Sequence, residues 1–188
     1  DGASAIVALT LDMSDAGTAT FNNNVQINGE QLQLTSSNDE KPTIILYDTT
    51  NSANGSVLRF KKDKGAAGAD DDEIGRIFFT SDASGQAQTD FALIRGVVET
   101  AANGAEGGRI ELKVASHDGE MNTGLAIVDG NAEDEVDVTI GNGSASIVTI
   151  PGDIDLAGDM DVDGTLETDA LTIGGTSVEA GADVTDAT

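Results

Sequence analysis

Acidic side chains dominate the residues of this chain that could do chemistry. Asp159-x-Asp161-x-Asp163-Gly164 reproduces the first six positions of a calcium loop, where carboxylates at alternate positions converge on a hard cation. The twelfth position, however, is Ala170 rather than a bidentate Glu, and no helix pattern flanks the run. Period-two alternation gives the competing reading, with Asp155, Asp159, Asp161 and Asp163 turned to solvent while Met160 and Val162 face inward. Asp159, Asp161 and Asp163 are thus the calcium candidates, and loose cation binding is expected there rather than a built metal site. Asp70-Asp-Asp-Glu73 is a second acidic cluster, on a Gly/Ala loop, and reads as a solvated tip. His117 is the single histidine and sits in the polar turn Ser116-His-Asp-Gly119. Ser and Asp beside it in sequence do not make a triad, whose members are spatial neighbours held by a fold. No acidic pair stands out for glycoside cleavage among 34 carboxylates, and without Trp and with one Tyr (Tyr47) the platforms that grip sugars are scarce. No catalytic residue and no cofactor is expected.

The elements that would position these groups are short strands. Three six-residue steps follow one another near the C-terminus, beginning at Gly152, Gly158 and Gly164. Each puts side chains at +2 and +4 on one face: Ile154 and Leu156, Met160 and Val162, Leu166 and Thr168. The same register recurs early, where Gly17 precedes Ala19 and Phe21, Asn23 precedes Val25 and Ile27, and Gly29 follows. Gly and Asn enter positive φ at least cost, so each step reads as a short strand and a bend. So thin an apolar stripe forms no core alone and must stack on copies of itself or on neighbouring chains.

Composition agrees. Leu, Ile, Val and Phe make up 44 of 188 residues, a thin apolar supply for a lone monomer of this size. The formal net charge of −25 repels phosphate backbones and anionic lipid, so neither nucleic-acid binding nor membrane insertion is expected. With no Cys, stability must come from burial and β-pairing.

Helix signals are scarce and strand signals run throughout, giving an all-β expectation in five parts. Residues 1–35 read as an N-terminal β shaft segment and 36–42 as a linker closed by Pro42. Residues 43–140 read as a compact antiparallel β-sandwich or open-barrel domain. Its expected strands are Thr43 to Asp48 and Ser56 to Lys62, paired as a hairpin, then Ile74 to Thr80, Asp90 to Thr100, Arg109 to Ala115, Leu125 to Asp129 and Val136 to Ile140. Turns are expected at Ser84-Gly85, Asn103-Gly104, Gly107-Gly108, Asp118-Gly119 and Gly130-Asn131. Phe60, Phe78, Phe79 and Phe91 read as core, and Arg59, Arg76, Arg95 and Arg109 as partners of carboxylates. Residues 141–175 read as the C-terminal hexad-repeat shaft segment, and 176–188 as a tail leading to a further module.

Leu9-Thr-Leu-Asp-Met-Ser14, Ala16-Gly-Thr-Ala-Thr-Phe-Asn22, Asp159-Met-Asp-Val-Asp-Gly-Thr-Leu166 and Ala170-Leu-Thr-Ile-Gly-Gly175 resemble shaft phrases of the tail fibres and tail-spike shafts of tailed bacteriophages. The block from Gly75-Arg-Ile-Phe-Phe79 to Leu125-Ala-Ile127 is similar to the globular insertions between such segments. The resemblance implies a parallel homotrimer with extended, interwound ribbons at both ends, located in the virion beside other tail or capsid proteins. It implies a structural role in host attachment, with contact to host surface glycan or protein, and carries no catalytic residue. A receptor-binding module, or a bacterial or archaeal surface adhesin or filament subunit, is the alternative class.

Overall fold

The computed structural model describes Phe21 and residues 23–167, 171–173 and 176–178. The chain divides into two units, Asp1–Arg59 and Phe60–Thr188. In the second, five strands run in sequence order as one antiparallel sheet: β1 (Glu73–Asp82), β2 (Gln88–Thr100), β3 (Gly107–Ala115), β4 (Met121–Asp129) and β5 (Val136–Ile140). A short antiparallel pair, β6 (Leu171–Ile173) with β7 (Thr176–Val178), lies further along the chain. The described residues contain no helix, so the all-β expectation holds.

Each connection in the meander closes where glycine or a polar residue takes a left-handed conformation. Gln86 (φ 62°) closes the β1–β2 turn, Gly104 (82°) the next, Gly119 (89°) the third and Asp134 (65°) the fourth. The Ser116–Glu120 turn is clasped from both sides: Gly119 N donates to Ser116 O at 2.8 Å and Ser116 N to Glu120 O at 2.9 Å. Bulges near Phe79/Thr80, Val98/Thr100 and Leu112/Lys113 each skip one residue and sharpen the local twist.

Two expectations are corrected. The two-layer sandwich is replaced among the described residues by a single antiparallel sheet: its order runs β1 to β5, with β1 and β5 as its edges. The physical reason is supply, because no further strands among residues 60–167 form a second layer. The hairpin of Thr43–Asp48 with Ser56–Lys62 is also absent, since neither segment is a strand. Ile44, Ile45, Leu46 and Tyr47 form a continuous apolar run instead of alternating, the pattern of a strand covered on both sides. Pairing one edge within the chain would leave both flanks bare, and Tyr47 is 82% exposed.

The acidic loop is solvent-exposed but pinned by hydrogen bonds. Asp72 accepts from Lys64 Nζ at 2.7 Å, Lys62 Nζ at 3.3 Å and the Ala69 amide at 2.8 Å. Asp70 accepts from the Ala101 amide at 2.8 Å. Asp71 N donates to Val98 O and Val98 N to Asp72 O, so the loop extends the ladder onto β2. Lys64 above all, then the Ala69 amide, holds the Asp72 carboxyl far below the ordinary carboxylate range. A carboxyl lowered on folding contributes stability that is fully present above its unfolded value of about 4 and is lost as pH falls through the folded value. Asp72→Asn should therefore make the acid-unfolding curve of the sheet shallower below about pH 4; an acid curve identical to the parent would show the clasp contributes nothing.

Candidate functional site

Alternation sorts the side chains of β1–β5 onto two faces, and the registers line them up across strands. On one face Ile77 stands opposite Ile94, Ile94 opposite Leu112, Leu112 opposite Leu125, and Leu125 opposite Ile140. This row of five aliphatic side chains spans the whole sheet. The neighbouring row is Gly75, Gly96, Ile110, Ile127 and Val138, and on the other side Phe79, Ala92 and Val114 continue it. Nothing among the described residues covers this surface as a layer: Phe79 is 52% exposed and Ile140 57%.

At one corner the chain does supply a cover. A Cβ on Gly75 would meet Phe60 Cβ at 2.8 Å, so the bare glycine is what lets Phe60 seat on β1. Gly96 and Gly108 next to it have open space where a Cβ would stand. They floor a shallow hollow of about 430 Å³ walled by Ile74, Ile110, Ile127 and Val136, with Arg109 and Asp129 also lining it.

The opposite face is ionic. Arg76 stands directly opposite Arg95, a like-charged pair that would repel unless neutralised. Glu73 does so, pairing with Arg76 and lying 3.9 Å from Arg95 Nη1. Glu111, opposite Arg95 in β3, gathers three cations: Arg95 Nε at 2.8 Å, Arg109 Nε at 3.4 Å and Lys113 Nζ at 3.6 Å. These approaches are electrostatic more than directional, because Arg95 Nε, Arg109 Nε and Glu111 Oε2 lack hydrogen-bond alignment. Arg109 also pairs with Glu99 and donates to Asp71 Oδ1 at 2.9 Å; Asp71 above all raises its pKa. Arg76, Arg95, Arg109 and Lys113 thus meet Glu73, Glu99, Glu111 and Asp71 in a charge-balanced net. Among the described residues the buried ones belong to this face: Val97 (1% exposed), Leu93, and Glu111 at 8%. Val97 is flanked in register by Arg109 and Glu73, whose long stems shield it.

Arg76, Arg95 and Arg109 pair with carboxylates as the sequence suggested, whereas no ion pair involves Arg59 among the described residues. Phe60, Phe78, Phe79 and Phe91 depart from the core reading: all four remain about half exposed, Phe78 with the Arg76 guanidinium 5.6 Å from its ring centroid. Asp159, Asp161 and Asp163 lie in an exposed segment without strand pairing. Among the described residues no three His or acidic side chains converge as metal ligands. His117 is exposed in the β3–β4 turn, and Ser116 Oγ there donates to Asp118 Oδ1 at 3.3 Å. Sequence reasoning missed the continuous apolar row and the Glu111 hub, because both require the exact cross-strand offsets.

No protein-family model, no curated protein and no solved structure matches this chain. Chemically the arrangement offers no reactive group: one side is self-neutralised and the other presents hydrocarbon.

Removing Glu111 would leave three cations facing one another with their shared partner gone. Glu111→Ala should cost about 3 kcal/mol of sheet stability, the scale for breaking a buried ion pair by deleting one partner. Denaturant unfolding reads this directly, and a loss within about 0.5 kcal/mol, the range of ordinary surface substitutions, would demote the net to surface decoration.

Proposed function

We propose that this chain is a structural segment of a virion appendage, a tail fibre or related rod, assembled as a parallel homotrimer that supports host recognition. The observation that carries the reading is the amount of strand-forming apolar chain left without a partner among the described residues. Ile44 to Tyr47 and Val57 to Leu58 are exposed, as are Ile154, Leu156, Met160, Val162 and Leu166. Burying a side chain of this size is worth about 1.5–3 kcal/mol, so the last five alone represent several kcal/mol. That is comparable with the whole stability of an ordinary domain, about 5–15 kcal/mol. Copies of the chain supply the missing surface without any further component.

Backbone geometry supports the ribbon part of the proposal. Bends fall at Pro151-Gly152, Ala157-Gly158 and Asp163-Gly164, six residues apart, and again at Asn23 and Gly29-Glu30. Three chains winding in register would place a bend at each level and turn the intervening apolar pairs to a common axis. The ends of such a rod would meet adjacent tail or capsid proteins.

Charge is distributed unevenly along the chain. All nine Lys and Arg lie between Lys41 and Lys113, which leaves that stretch at −2, residues 1–40 at −6 and residues 114–188 at −17. Parallel alignment stacks the three most acidic segments side by side, so their repulsion must be screened by salt or loosely held cations.

Light scattering on the folded chain should return three times 19.1 kDa, about 57 kDa; a monomer mass for a folded sample would sink the proposal. The melting temperature should rise as NaCl goes from about 0.01 M, where the Debye length is about 30 Å, to about 0.15 M, where it is about 8 Å. A melting temperature indifferent to salt would mean the acidic segments are not brought together.

A further inference from the structure

Resting on the trimeric reading, we infer that the apolar face of the five-stranded sheet is the surface on which copies of this chain pack, with Leu112 nearest the symmetry axis and the Arg/Glu net turned outward. Leu112 is the middle residue of the five-residue row and belongs to β3, the middle strand. A rotation axis that buries the row evenly therefore passes close to it, and each Leu112 meets its own symmetry mates.

Three observations choose a second copy as the occupant. The first is area. Ile77, Phe79, Ile110, Leu112, Val114, Val136, Val138 and Ile140 are all substantially exposed, with Ile94, Leu125 and Ile127 partly so. Together they present on the order of 800 Å², beyond the largest patch of a typical monomer and close to one partner's share of a stable interface.

The second is charge. The three rows contain no ionisable residue, and Asp90 and Asp129 stand only at the rim. Two chains of net charge −25 repel wherever acidic surfaces meet, and this face lets them approach with hydrocarbon between them. The ionic face has its four cations already matched by four carboxylates and needs no partner charge.

The third is relief. The hollow over Gly96 and Gly108 lies beside the raised side chains of Ile110 and Ile127, so the face carries both socket and knob. Phe60 seated on Gly75 is the intrachain instance of the same fit. A symmetric copy can insert an apolar side chain into the hollow while receiving one in return.

The absence of native Cys makes the test clean. Single variants Leu112→Cys and Lys113→Cys place a thiol on adjacent residues of β3 that point to opposite faces. Packed sheet faces stand about 10 Å apart, a span that a short bis-maleimide bridges. Each maleimide adds one thiolate across its double bond, so two chains become joined with no oxidant required. Treated at the concentration used for light scattering, Leu112→Cys should run in denaturing gels mostly as linked pairs, and Lys113→Cys as single chains. Ile94→Cys, one strand over on the same face, repeats the test if Leu112→Cys fails to fold. Linking at Lys113, or none at Leu112 and Ile94 while the mass stays at three chains, would overturn the assignment of this face and leave the trimer standing. A monomer mass would remove the trimer itself.

Discussion

A β-sheet with one hydrocarbon face favours something laid against that face, and among the described residues of the second unit none forms such a layer. Five strands align Ile77, Ile94, Leu112, Leu125 and Ile140 side by side across the full width of the sheet. Antiparallel sheets commonly keep one face solvated and bury the other. In this protein the buried side chains instead sit on the charged side, shielded by arginine and glutamate stems. Within the second unit the hydrophobic effect therefore leaves the aliphatic face unused, and the apolar runs outside the sheet are likewise exposed.

The ionic side holds the strands together whatever lies against the other face. Arg76 against Arg95 would by itself splay β1 from β2, and Glu73 and Glu111 reverse that. Asp71 and Asp72 extend the network into the preceding loop, tying Lys62, Lys64 and Arg109 to the strand edge. Packing a small apolar cluster beneath a neutral salt-bridge net gives this face its own shielded core.

Much of the sheet was legible in the sequence because its turns announce themselves. Asn103-Gly104 and Asp118-Gly119 place glycine where φ is positive, and Val136–Ile140 begins and ends as alternation suggested. Glycine lets the chain reverse there at little cost, so strand limits could be read to within a few residues. What local patterns could not convey was partnership. Ile44 to Tyr47 has every local mark of a strand, yet no described residue pairs with it in a ladder, since pairing is a property of two segments and not one. The acidic loop misled for the same reason: Asp70 finds Ala101 and Asp71 finds Arg109, contacts 31 and 38 residues away in sequence. Glu111 reads as an ordinary outward residue of an alternating strand until the registers of β2 and β3 place three cations around it.

The central claim is that strand-forming segments left open in one chain are completed by others, and backbone amide exchange reads it most directly. The amides of Ile44, Ile45, Leu46 and Tyr47 make no ladder with any of the described residues. In assembled protein at high concentration they should exchange slowly, with protection approaching that of β2 and β3, and should lose it on dilution to single chains. Exchange at the rate of an unstructured peptide in the assembled particle would contradict the account, because strands completed by neighbouring copies cannot leave those amides open to water.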